Sequence, residues 1–151
     1  MNLGLKFEGQ FLVHLQNLLK SRSHREVALI LDSFISLHEA LTIQDKEEML
    51  ECLRENLSHF TSPRTQNMLV NLLKTLNTHP ASMLLFDLFL KSEFEKVKTQ
   101  IMTAYVELKI DFSEDKLEEV FSAFFEGDWE LRDSVLTLVI EIFARENLSV
   151  D

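Results

Sequence analysis

The chain has 151 residues, 46% apolar and 26% charged, enough to bury a core without disulfides or metals and too apolar for disorder. Three Gly and two Pro are too few for the tight turns of a β-rich fold, which points to helices. Residues 1–75 hold eight Lys/Arg against nine Asp/Glu and residues 76–151 hold seven against sixteen, so the second half repels phosphates and anionic membranes and suits a basic partner.

Taken in chain order, the helix signals recur at a regular tempo and predict eight helices, beginning near residues 3, 24, 43, 63, 80, 93, 114 and 129. The first has Phe7, Phe11, Leu15 and Leu18 on one face, with Leu12 and Leu19 alongside. Ser23-His24-Arg25-Glu26 fits a capping box ahead of Val27, Ile30, Leu31, Phe34 and Leu37. Thr42-Ile43-Gln44-Asp45 is a weaker version, ahead of Met49, Leu53, Leu57 and Phe60. Ser62-Pro63 and His79-Pro80 place proline where the first helical turn has no use for an N–H. Ser92-Glu93-Phe94-Glu95 repeats the box, and Ser113 and Asp128 are good caps before acidic first turns. The last helix shows Leu131, Val135, Leu138, Val139 and Ile142 at helical spacing. No Gly/Ser-rich linker divides the chain, so residues 1–151 read as one domain. Its short connections would pack sequential helices as antiparallel hairpins.

A shift of 34 lays Val97–Leu108 on Leu131–Ile142, with Thr103 on Thr137, Glu107 on Glu141 and Lys98 on Arg132. Met49, Met83 and Leu117 follow the same spacing, as do Cys52, Phe86 and Val120. Such a period predicts stacked hairpins in which equivalent positions share like environments. The stretch Asp128-Trp129-Glu130-Leu131-Arg132-Asp133-Ser134-Val135-Leu136 resembles the start of the second helix of a HEAT repeat, which carries an Asp-containing turn and an aliphatic-Arg pair. Arg25-Glu26-Val27-Ala28-Leu29, and Arg64 after Ser62-Pro63, match less closely, and the usual proline of the first HEAT helix is missing. The resemblance to the HEAT/armadillo class covers residues 23–148. It implies an all-α, right-handed superhelix of about four antiparallel hairpins that binds another protein along a concave face.

Candidate chemistry is sparse. None of His14, His24, His38, His59 and His79 has Glu three residues before it, and no His-Glu-x-x-His motif occurs. Glu51, Glu55 and His59 share one helical face and read as a solvated stripe. Cys52 aligns with Phe86 and Val120, which predicts a buried, unreactive thiol. As the one cysteine it excludes an internal disulfide and suggests a reducing, cytoplasmic setting. The opening MNLGLKFEGQF carries Lys6 and Glu8 among its apolar residues and lacks the apolar core of a secretion signal. No phosphate-binding glycine loop or nucleophile-elbow pattern appears, so the expectation is a non-enzymatic chain with no cofactor or metal.

The candidate protein-binding positions are the outward ones of the second helices: Gln66, Asn67, Asn71 and Lys74, then Gln100, Thr103 and Glu107, then Asp133, Thr137 and Glu141. They would receive another protein's helix or basic segment. Phe121, Phe124 and Phe125 share one face and should point to the core. Trp129 either staples the last hairpin or anchors a partner. Leu136, Ile140 and Phe143 leave the last helix apolar on a second side, the basis of an alternative reading as a self-associating homodimer. A DNA-binding repeat would need a basic groove, which the acidic half opposes.

Overall fold

The computed structural model describes Asn17, residues 23–108 and residues 114–150. Among them every regular element is helical: α1 His24–Leu37, α2 Ile43–Glu55, α3 Pro63–Leu76, α4 His79–Lys91, α5 Glu95–Leu108, α6 Glu114–Glu126 and α7 Trp129–Val150. The fold is all-α, as the scarcity of glycine and the helical period predict. Helix starts fall within a residue or two of the predicted caps, but Ser92 does not cap α5: its Oγ accepts from the Phe94 amide at 3.1 Å and the helix begins at Glu95. The helix expected near residue 3 and the cap at Ser113 lie outside the described residues.

The local chemistry explains the boundaries. Ser23 Oγ accepts from the Glu26 amide at 3.4 Å. The complete reciprocal box belongs to α2: Thr42 Oγ1 accepts from the Asp45 amide at 3.0 Å, and Asp45 Oδ2 accepts from the Thr42 amide at 3.1 Å. The shorter Asp thus closes the box that Glu or Gln usually closes. Pro63 opens α3 behind Ser62, whose Oγ accepts from the Thr65 amide at 3.1 Å. At the other end Asn77 adopts φ 46, ψ 50, a left-handed C-cap that asparagine tolerates better than most residues. The cap of α4 is Thr78, whose Oγ1 accepts from Ala81 at 3.3 Å. Short 3₁₀ turns, His38–Ala40 and Leu57–His59, follow α1 and α2. The second of these ends the α-helical run at Glu55, yet Leu57 and Phe60 remain buried beyond it.

The chain forms two compact units, Met1–Leu88 and Phe89–Asp151, and the division falls inside α4 with no linker. In the first unit α1 packs along α3. Its core includes Leu31, Met49, Leu53, Leu69, Leu72 and Leu73, each with almost no exposed surface. Each such side chain contributes about 1.5–3 kcal/mol of burial free energy. In the second unit α7 packs along α5 and, less extensively, against α6. Val97, Ile101, Ala104 and Tyr105 of α5 are buried with Val120 of α6 and Leu131, Val135 and Leu138 of α7. The Lys98 ammonium lies 5.6 Å from the centre of the Phe89 ring, a cation–π contact at the foot of α5. The α6–α7 hairpin packs as expected of sequential helices. The most extensive packing in each unit, however, joins alternate ones, α1 with α3 and α5 with α7.

The 34-residue spacing meets two outcomes. Cys52, Phe86 and Val120 are all buried. Met49, Met83 and Leu117 do not share an environment: Met49 has no exposed surface, Met83 is 40% exposed and Leu117 is half-buried. The 34-residue spacing therefore does not carry burial from one position to the next; what lies opposite each residue decides it.

Candidate protein-binding surface

The expected row in the first unit divides by burial. Gln66 is not an outward residue: it is buried, and its Nε2 donates to the Phe60 carbonyl at 2.7 Å, bracing the segment that leads into α3. Its position lies three, four and seven residues before buried Leu69, Val70 and Leu73, so the helical period itself turns it inward, where the Phe60 carbonyl takes its donor. Asn67 is half-buried, and its Oδ1 has no hydrogen-bond partner among the described residues. Lys74 is half-buried and Asn71 is exposed.

In the second unit Gln100, Thr103 and Glu107 are exposed on α5, as are Asp133 and Thr137 on α7, with Glu141 half-buried. Thr103 and Thr137 each donate from Oγ1 to the carbonyl four residues earlier, Thr99 at 3.1 Å and Asp133 at 2.9 Å. Glu95 Oε2 accepts from the Asp128 amide at 3.0 Å, tying the first turn of α5 to the cap of α7. Since the helices also pack along each other, they run in the same direction. Thr103 and Glu107 hold the same offset from buried Val97 and Ile101 as Thr137 and Glu141 hold from buried Leu131 and Val135. Both rows are polar and acidic and hold no apolar anchor.

The anchors lie elsewhere on α7. Buried Leu131, Val135 and Leu138 define one face. Trp129, Leu136, Ile140 and Phe143 lie on the opposite face and are exposed, Trp129 by 79% and Ile140 by 67%. A helix apolar on both sides normally has both covered. Trp129 is therefore not packed into its hairpin, and the staple reading fails. Phe121 and Phe125 likewise do not face the core: both are exposed, Phe125 by 72%. The Arg132 Nη2 donates to the Phe125 carbonyl at 3.4 Å, which places the end of α6 beside the outward strip of α7. The helical period shows which residues share a face. The clue to this strip in the sequence was the excess of apolar positions on the last helix, more than one face holds.

Electrostatics and side-chain chemistry define the remaining candidates. Asp128 Oδ1 accepts from the Leu131 amide at 2.9 Å, and this bond, with the neighbouring Glu95, holds the Asp128 carboxyl below its usual range. Burial pushes the Cys52 thiol up, the Glu55 carboxylate adds to the shift, and the hydrogen bond from Asn56 partly opposes it. Glu51, Glu55 and His59 do not form a helical stripe, since α2 ends at Glu55 and His59 sits in the following turn. Glu51 instead meets Arg54 at 3.7 Å in a solvent-exposed pair worth about 0–1 kcal/mol. Among the described residues no three His, Cys, Asp or Glu converge as a metal site, and no helix is long and apolar enough to cross a membrane.

The chain matches no protein-family profile, no curated protein and no solved structure.

Proposed function

We propose that this chain is a non-enzymatic protein-binding module, a scaffold or adaptor of helical hairpins akin to the HEAT/armadillo class, which receives its partner on the second unit. The observation that supports this reading is the outward face of α7. Trp129, Leu136, Ile140 and Phe143 form an uncovered apolar strip on a helix whose other face is buried. Large exposed apolar strips rimmed by polar groups characterise interaction sites, and aromatic residues dominate binding energy there. The acidic row of Glu107, Asp133 and Glu141 extends that surface with charge suited to a basic segment. Leu136→Asp with Ile140→Asp, both at exposed positions, should leave the helical fold intact. Affinity capture from the native cells with the wild type and this variant tests the proposal. A binding module retains specific proteins on the first and loses them on the second; identical sets on both would refute the site.

The second reading is self-association, in which the same strip meets its counterpart on another copy. Light scattering over a wide concentration range separates the two, since self-association requires a dimer that the double variant abolishes.

A further inference from the structure

We infer that the outward face of α7 accepts a cationic amphipathic helix of a partner protein, laid along α7 much as α7 is laid along α5. This rests on the protein-binding reading above and names the chemistry of the partner.

That the occupant is a helix follows from comparing α5 with α7. The two run side by side, and matching positions on them sit at equal offsets from their buried faces. Met102 and Tyr105 of α5 are fully buried, and Val106 is half-buried. At the same offsets α7 presents Leu136 exposed, Val139 half-buried and Ile140 exposed. The side of α5 that is covered thus corresponds to the side of α7 that is open. Its residues are aliphatic at a spacing of three and four, the pattern with which one helix packs on another. From Trp129 to Phe143 the strip runs roughly 21 Å at about 1.5 Å per residue, which calls for a partner helix of about four turns.

The sign of the partner follows from the surrounding charge. Residues 114–133 carry eight carboxylates and two cations. Glu126, Glu130 and Asp133 are exposed within four residues of Trp129, against the single cation Arg132, which donates to the Phe125 carbonyl. A second copy brings the same net charge of −10 to the contact, a like-charge approach that disfavours pairing. A helix with an apolar stripe flanked by Lys and Arg meets both the apolar strip and its acidic rim.

Trp129 is the sole tryptophan of the chain and lies in the strip, so its emission reports occupancy directly. The full chain is titrated with a synthetic Trp-free Leu/Lys amphipathic peptide of roughly 18 residues, with a scramble of the same composition, and with a Leu/Glu peptide of the same pattern. The inference expects a saturable blue shift with the Leu/Lys helix alone, weakened at least tenfold by Ile140→Asp and by Glu130→Lys with Asp133→Lys, and diminished by salt. Circular dichroism confirms that both variants remain helical. An equal response to the scramble means bare charge attraction and overturns the inference. An equal response to the Leu/Glu helix removes the cationic preference, and with it the inference, while leaving the protein-binding proposal standing. A blue shift that instead grows with the chain's own concentration, alongside a dimer by light scattering, assigns the strip to a second copy. No shift with any peptide from a monomeric chain overturns the helix acceptor, and the capture comparison then decides the broader proposal by itself.

Discussion

Two side chains on one turn of α7 should respond very unequally to the same truncation. Leu138 has no exposed surface, whereas Ile140 is 67% exposed. Replacing either with alanine removes three carbons, worth about 2.4 kcal/mol at roughly 0.8 kcal/mol per buried CH₂. At Leu138 the whole of that is lost and a cavity is left behind, so Leu138→Ala should cost about 2–5 kcal/mol. At Ile140 only about a third of the surface is withdrawn from water, about 0.8 kcal/mol, and no cavity forms beside solvent. Alanine's better helix propensity returns a few tenths of a kcal/mol, so the net change should stay near 0.5 kcal/mol. Urea unfolding followed by circular dichroism resolves the difference. With a slope of roughly 1–3 kcal/mol per molar, Leu138→Ala should lower the midpoint by about 1 M or more while Ile140→Ala barely moves it. Equal losses for the two variants would show that the outward face of α7 is buried, and the docking argument would collapse.

Three further outcomes follow from single contacts. Gln66→Ala leaves the Phe60 carbonyl buried without its donor and should cost about 1–3 kcal/mol by urea unfolding, whereas Asn71→Ala, at an exposed position, should be near neutral. The raised Cys52 thiol should react slowly with a disulfide reagent in the folded chain and quickly in urea. Because its folded pKa is the higher one, the associated stability is present below the ordinary value of 9.0 and lost as pH rises beyond it; rapid native labelling at neutral pH would contradict the burial. The Asp128 carboxyl has the opposite sign. Its cap should hold above the ordinary value of 3.8 and fail as pH falls through the lower folded value, so the Leu131 amide resonance should titrate with a midpoint below 3.8, and Asp128→Ala should lower the melting temperature more than Asp128→Asn.

Helix starts were the most legible feature because each cap is a local bond between neighbours in the chain. Thr42 with Asp45, Ser62 with Pro63, and Asp128 with Leu131 need nothing distant to form. Burial was legible along most of the predicted face of α1, where Val27, Leu31 and Phe34 are buried, but not at its end, where Leu37 is 42% exposed. It failed where the deciding group is remote or where two faces compete. Gln66 looked outward by its polarity alone; its spacing from buried Leu69, Val70 and Leu73 puts it on the inward face, where the Phe60 carbonyl satisfies its amide. Phe121, Phe125 and Trp129 looked like core and staple because aromatic residues usually are. Nothing in their spacing says that the far side of α7 lacks a cover. Met83 is 40% exposed where Met49 is buried, so a matched position in the 34-residue spacing did not bring matched neighbours.

Collisional quenching of Trp129 tests the central claim most directly. This residue lies on an open, acidic surface, with Glu126, Glu130 and Asp133 exposed near it in sequence. Neutral acrylamide should therefore quench it readily. Cationic caesium should quench it more effectively, and anionic iodide less effectively, than either quenches a free tryptophan amide, with the gap closing in high salt. A blue-shifted emission protected from acrylamide in the monomeric chain, or quenching by iodide as strong as in the free amide, would contradict both the exposure and the charge on which the partner assignment stands.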